Sequence, residues 1–155
     1  MEADRLVAWS NEMRQVHEQL RTALDVAKEA VEAGASTEQL AQNLRLFCWG
    51  FCVSLDGHHN SEDGALFPLI LEARPDLAPV IANLKQDHSM IAHLIGGVEK
   101  TLASTSDPDE LMRHLDGIES VMETHFGYEE RQLLAILDGI VPADASPRAM
   151  FGPLA

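Results

Sequence analysis

Six residues of this sequence are of metal-binding types and sit on or beside helical apolar stripes: His17, His58, Glu62, His88, His125 and Glu129. Glu62 follows His58 by four positions, and Glu129 follows His125 by the same interval. Residues four apart on an α-helix project from one face, about one turn up. A His-x-x-x-Glu helix therefore offers a nitrogen and an oxygen to one centre, and two such helices supply two carboxylates that can bridge a pair of ions. Burying a carboxylate without a partner charge or a metal is costly. The alternative, core histidines hydrogen-bonded to Glu62 and Glu129, would place six polar residues in a core with no cation to offset them.

Register and height support a two-ion centre. Aligning His58 on His125 pairs Glu62 with Glu129, Asp63 with Glu130, Leu66 with Leu133 and Phe67 with Leu134. Aligning His17 on His88 pairs Leu20 with Ile91 and Leu24 with Ile95. The chain reads as two similar halves, each a lone-His helix followed by a His-x-x-x-Glu helix. Pro75, a natural turn, lies midway between Glu62 and His88. The midpoint of His17 and His58 falls just past Thr37, while the turn is nearer Ala35, a mismatch that a distorted helix near Gly57 would absorb. His59 competes with His58; the half-to-half register selects His58 and leaves His59 toward the bundle edge, on the side of Cys48, Cys52 and Leu55. Imidazole plus carboxylate without thiolate suits iron, manganese or zinc. Bridging carboxylates inside a bundle favour two iron or two manganese ions, and a single zinc, with about four ligands, would strand the rest.

The elements that must position these residues follow from apolar spacing. A first helix is expected from about Asp4 to Ala33, with Leu6, Trp9, Met13, Val16, Leu20, Leu24 and Val31 on its stripe and Gly34 at its end. A second opens at Ser36-Thr37, with Gln39 placed for a capping box from Ser36, and ends before Arg74-Pro75; Pro68 should kink it or disturb its last turns. A third opens near Asp76 and carries Ile81, Leu84, His88, Ile91 and Ile95. After a turn at residues 104–106, Asp107-Pro108 caps a fourth, with Leu111, Leu115, Ile118, Met122, His125 and Glu129 on its stripe. Short connections give an all-α, up-down-up-down antiparallel four-helix bundle over residues 1–140, with a C-terminal tail over 141–155 in which Met150 and Phe151 cover an open end or move freely.

Composition narrows the function. The chain has 155 residues, 46% of them hydrophobic, enough for one domain with a real core. A net charge of −14 argues against nucleic acid and anionic membranes as partners. No basic, apolar leader is legible at Met1-Glu2-Ala3-Asp4 and no apolar run reaches spanning length, so a cytoplasmic monomer or homodimer is expected. Cys48 and Cys52, one turn apart, read as reduced core residues. Tyr128, between the two candidate ligands of the fourth helix, reads as flank packing, with metal ligation or a hydrogen bond to bound oxidant as the sharper alternative.

The set of motifs resembles the hemerythrin-like, or HHE cation-binding, family. The resemblance is carried by His17 in Val-His-Glu-Gln-Leu, His58-His59-Asn-Ser-Glu62-Asp63 with Leu66-Phe67-Pro68 after it, His88 in Gln-Asp-His, and His125-Phe-Gly-Tyr-Glu129-Glu130, over roughly residues 10–135. It implies a four-helix bundle with an oxo- or hydroxo-bridged pair of iron ions, manganese or zinc being less favoured, and O2, peroxide or nitric oxide as ligands. The oxygen carriers of that family place a second histidine one turn after the first on helix three, where this chain has Ala92 and, one residue too far, His93. They also separate the last His and acid by one residue more than His125 and Glu129. The pattern is more similar to that of actinobacterial hemerythrin-like proteins. Four imidazoles, two bridging carboxylates and a bridging oxygen fill about ten of roughly twelve octahedral positions, leaving a more open site than a carrier has. That openness favours removal of peroxide, or reaction with nitric oxide, over oxygen carriage; a binding or sensing protein without turnover is the alternative. Asp63, Asp87 and Glu130 are candidates to orient the imidazoles from outside.

Overall fold

Side chains that repeat every three or four residues form helices that must bury one face. The computed structural model describes residues 9–104, 107–142 and 144–155, and it is helical, with no strand among those residues. Helix α1 spans Trp9–Ala33 and α2 spans Glu38–Ser61. A π-helical turn, Glu62–Leu66, leads into α3, Phe67–Ala73. A 3-10 turn, Pro75–Leu77, precedes α4, Ala78–Ser104. Helix α5 is Pro108–Ile140 and α6 is Pro147–Phe151. The expected helix start near Asp4, with Leu6 on its stripe, and turn residues 105 and 106 lie outside the described residues.

Helix α1 packs against α2 and α5, and α4 packs against α5 and α2, so the neighbours close a ring. The core inside it includes Met13, Leu20 and Leu24 of α1, Phe51 and Leu55 of α2, Leu84 and Ile91 of α4, and Leu115, Ile118 and Met122 of α5. Removing one such side chain from water contributes about 1.5–3 kcal/mol. Cys48 and Cys52 belong to the same core as free thiols, and burial pushes them up to about 11 and about 12.

The helix ends follow local chemistry. Gly34 has φ +79°, which a side chain would strain, and its amide donates to the Val31 carbonyl at 3.0 Å. The Asp107 carboxylate accepts from the Asp109 amide at 3.0 Å, with Pro108 in the first turn of α5. At α2 the expected box from Ser36 does not form. Thr37 is the cap instead, accepting from the Leu40 amide at 3.1 Å, while the Gln39 amide donates to Asn43. The helix starts one residue later than expected, and Leu40, now in the third position, has no group to reach back.

Pro68 leaves its mark as a widened turn. It has no amide to give the Gly64 carbonyl, and just before it the Phe67 amide bonds five residues back, to the Glu62 carbonyl. The distortion thus lies at Glu62–Leu66 rather than near Gly57. A single π turn of this kind re-aims the residues on either side of it.

Candidate metal centre

Helix α1 supplies His17, α2 supplies His58 and His59, the π turn begins with Glu62, α4 supplies His88, and α5 supplies His125 and Glu129. All seven are buried, none more than 5% exposed. Their side-chain atoms form two groups, each with donor atoms within 4.8 Å of one another: His17, His58, Glu62 and Glu129 in one, and His59, Glu62, His88 and His125 in the other. Glu62 Oε1 lies 3.4 Å from His58 Nε2 and 3.3 Å from His88 Nε2. Glu129 reaches the same way, with Oε1 3.0 Å from His17 Nε2 and Oε2 3.9 Å from His125 Nε2. Each carboxylate therefore stands between the two groups. The six residues singled out by spacing are all brought together, and His59 joins them.

Outer contacts aim the rings inward. A carboxylate or carbonyl oxygen only accepts, so the Nδ1 atom facing it carries the proton and Nε2 is left for the centre. His88 Nδ1 donates to Asp63 at 2.8 Å and His125 Nδ1 to Asp87 at 3.0 Å. His17 Nδ1 faces Glu130 at 3.4 Å. His58 Nδ1 donates to the Phe151 carbonyl at 2.7 Å. The three acids expected to orient imidazoles stand behind three of them. Ring stacking adds rigidity: Phe126 lies on His17 with centroids 3.8 Å apart, and His59 lies on His88 at 3.9 Å.

Without cations this cluster is electrostatically awkward. Burial holds His58 neutral, pushed down to about 3, with His17 adding to the effect. Burial also holds His59 far below the usual histidine range, with His88 and His58 next. His125 is lowered, again chiefly by burial. Burial opposes the charged form of His17, yet hydrogen bonds to Glu129 and Glu130 outweigh it and raise that group. Glu129 is the other half of that pair: burial works against its ionisation, but the hydrogen bond and charge of His17 hold it below the usual carboxylate range. Glu62 is pushed well above that range by burial and then by the charge of Glu129.

The donor atoms fit a pair of cations. Among the described residues, His58 Nε2, His59 Nε2, both oxygens of Glu62 and Glu129 Oε2 have no hydrogen-bond partner and are buried. Each such atom costs about 1–3 kcal/mol when left so. The Nε2 atoms of His88 and His125 lie 3.1 Å apart. Imidazole nitrogens bind a comparable ion at about 2.1 Å, which puts neighbouring donors on one ion at about that separation.

The profile of the hemerythrin HHE cation binding domain matches residues 10–144. The chain belongs to that family. All seven cluster residues fall inside the match, whereas α6 lies beyond it. No curated protein and no solved structure matches the chain significantly. Hemerythrin membership carries cation binding, typically of iron, and small ligands such as O2. The His/Glu cluster is the candidate site for the metal. None of the described helices is long and apolar enough to cross a membrane.

Against the hemerythrin pattern the reading of Ala92 and His93 is kept and that of His59 changes. Ala92 and His93 are both exposed, so the position one turn after His88 does not face the cluster. His59, set aside by the internal register, stands in the His88–His125 group instead. Its signal was present: His59 is three residues before Glu62 and four after Leu55, and Cys52 and Cys48 continue the same buried stripe. Tyr128 is not brought to the cluster. Its hydroxyl accepts from the exposed Asn83 at 3.3 Å, on the flank facing α4. His114 lies against Gly97 of α4, three turns from His125.

Proposed function

We propose that this chain is an up-down-up-down four-helix bundle over residues 1–140, with a tail over 141–155, that holds two bridged iron ions and reacts with a small oxidant, hydrogen peroxide or nitric oxide. The observation that carries this reading is the convergence of buried, unpartnered donor atoms into two groups that share Glu62. The ring of packing neighbours and the short connections support the bundle topology. His17, His58, Glu62 and Glu129 would hold one ion; His59, His88, His125 and the same two carboxylates would hold the other. Manganese satisfies the same donors, and zinc leaves several of them unused. When bound, an iron pair supplies two-electron redox chemistry between its ferrous and ferric states.

The protein side of the work is geometric and electrostatic. Asp63, Asp87 and Glu130 keep the proton on the outer nitrogen of their imidazoles, which aims each inner lone pair at the centre. The enclosing side chains, all buried, exclude a large substrate. With peroxide as both oxidant and reductant, two molecules give one O2 and two of water without a further reductant. The two free buried thiols agree with a cytoplasmic setting, as monomer or homodimer.

His59 favours a second reading. With a fifth imidazole, two bridging carboxylates and a bridging oxygen, only about one of roughly twelve octahedral positions stays open. One open position suits reversible binding of O2 or nitric oxide, as a carrier or sensor, better than peroxide turnover. Iron-loaded protein, prepared anaerobically, should carry about two irons per chain and gain oxo-to-iron charge-transfer bands on oxidation. It should then evolve O2 from peroxide above the rate of free iron, and His125→Ala should abolish this. Stable, reversible O2 binding without turnover selects the second reading; zinc alone, or about one metal per chain, overturns both.

A further inference from the structure

The C-terminal segment lies directly on the candidate centre. Helix α6 packs on α1, α2 and the π turn, the elements that carry His17, His58, His59 and Glu62. Ser146 caps it, accepting from the Ala149 amide at 3.3 Å. Phe151 is fully buried beside Trp9, with ring centroids 6.2 Å apart. Its carbonyl accepts the His58 Nδ1–H at 2.7 Å. His17, His88 and His125 face carboxylates with their outer nitrogens; His58 has a neutral carbonyl from outside the family match.

Two glycines make this approach feasible. Gly152 has φ +94°, a conformation L side chains rarely adopt. A Cβ there would sit 2.7 Å from His58 Cα and 2.8 Å from His58 N. Across the contact, a Cβ on Gly57 would meet Pro153 Cδ at 3.0 Å. Backbone thus rests on backbone at the residue that carries the ligand, a closeness unnecessary for covering an apolar end.

We propose that residues 147–152 are a built part of the metal centre, in which the Phe151 carbonyl positions His58 and so secures the ion held by His17 and His58. The carbonyl fixes the proton on Nδ1 and the ring plane, and Gly152 lets the carbonyl reach. Removing an outer partner of a ligating histidine typically weakens metal binding by about 10–100-fold. The loss should be selective, since His59, His88 and His125 do not depend on α6 for the contacts described. This inference rests on the two-iron reading proposed above.

The experiment compares iron-loaded full-length protein with a chain ending at Ser146, with Gly152→Ala, and with Trp9→Leu, which thins the packing beside the Phe151 ring and leaves the carbonyl. Iron per chain after desalting, anaerobic release of ferrous iron to a chelator, and Mössbauer spectra are the readouts. Full-length protein should hold about two irons. The shortened chain and Gly152→Ala should release one iron about 10–100-fold faster than full-length protein and keep the other, with one Mössbauer doublet reduced. Trp9→Leu should melt earlier yet release iron as the full-length protein does. Unchanged release in Gly152→Ala, or equal loss from both positions, overturns the inference. Fast release in Trp9→Leu overturns the carbonyl's role in favour of ring packing. If the shortened chain loses its helical circular dichroism, Gly152→Ala decides alone. Absence of iron from the full-length protein is a different failure, that of the two-iron reading itself.

Discussion

The α2 side and the α5 side of the centre carry the same spacing, His58 with Glu62 and His125 with Glu129, in different surroundings. On α5 the helix runs unbroken through its ligands, and Asp87 of α4 stands behind His125. On α2 the helix passes into a π turn at Glu62, a second histidine faces inward, and a carbonyl from α6 stands behind His58. The electrostatics differ too: His17 holds Glu129 below the usual carboxylate range, whereas burial and then the charge of Glu129 push Glu62 well above it in the metal-free centre. A repeated motif therefore need not make a symmetric site. The α5 motif is a pair of candidate ligands on one regular helix; the α2 motif takes its shape from the π turn and from α6.

The strongest way to break the comparison is at Glu62, the residue both donor groups share. Glu62→Gln should lose both irons in metal analysis, whereas Glu129→Gln should retain part of the iron, because Glu62, common to both donor groups, remains with the His59–His88–His125 imidazoles. Metal-free Glu62→Gln should melt no lower than the original chain, since burial and the charge of Glu129 already oppose ionisation of its carboxyl. Equal iron loss in the two variants would leave the halves equivalent.

The pH dependence of the metal-free chain sharpens the difference next. The unfolded chain protonates its histidines below about 6.5, while folded His58 stays neutral down to about 3 and His59 is held well below its usual range. The unfolded state then binds more protons, so this contribution is fully present above about 6.5 and is lost as pH falls. The slope is about 1.4 kcal/mol per pH unit for each histidine, with a contribution of the same sign from His125. Glu62 acts oppositely, because its raised group loses stability as pH rises above about 4.5. Denaturant melts of Glu62→Gln between about pH 6.5 and 5 read the histidine slope, and His59→Gln in that background should remove roughly a third to a half of it. A flat profile would mean these imidazoles are solvated.

Smaller effects separate ligands from supports. His59→Ala should weaken retention of one iron by about 100-fold and shift the charge-transfer bands; Asp87→Asn should cost about 10-fold, at the lower end for an outer partner. Tyr128→Phe should change iron retention and peroxide turnover less than about twofold, as expected for a hydroxyl that accepts from the exposed Asn83.

Much of this was legible without coordinates. His17, His88, His125 and Glu129 are found by helical periodicity because α1, α4 and α5 are regular through them. Gly34 and Asp107-Pro108 mark helix ends because their chemistry is local. The membership of His59 was not read, although its stripe was written in Cys48, Cys52 and Leu55. Two adjacent residues are about 100° apart on a helix, and only the packing of α2 against α1 and α4 decides whether both fall within the buried arc.

Spacing alone determined that imidazoles and carboxylates would gather at one level of a helical bundle, since residue type and a 3.6-residue period are intrinsic to the chain. The tertiary structure decided the rotation of α2, the shared position of Glu62 at the start of a π turn, and the docking of Phe151 on His58. Those three rest on contacts between distant segments, and the energy of such contacts is set by shape and distance in the folded state rather than by local order along the chain.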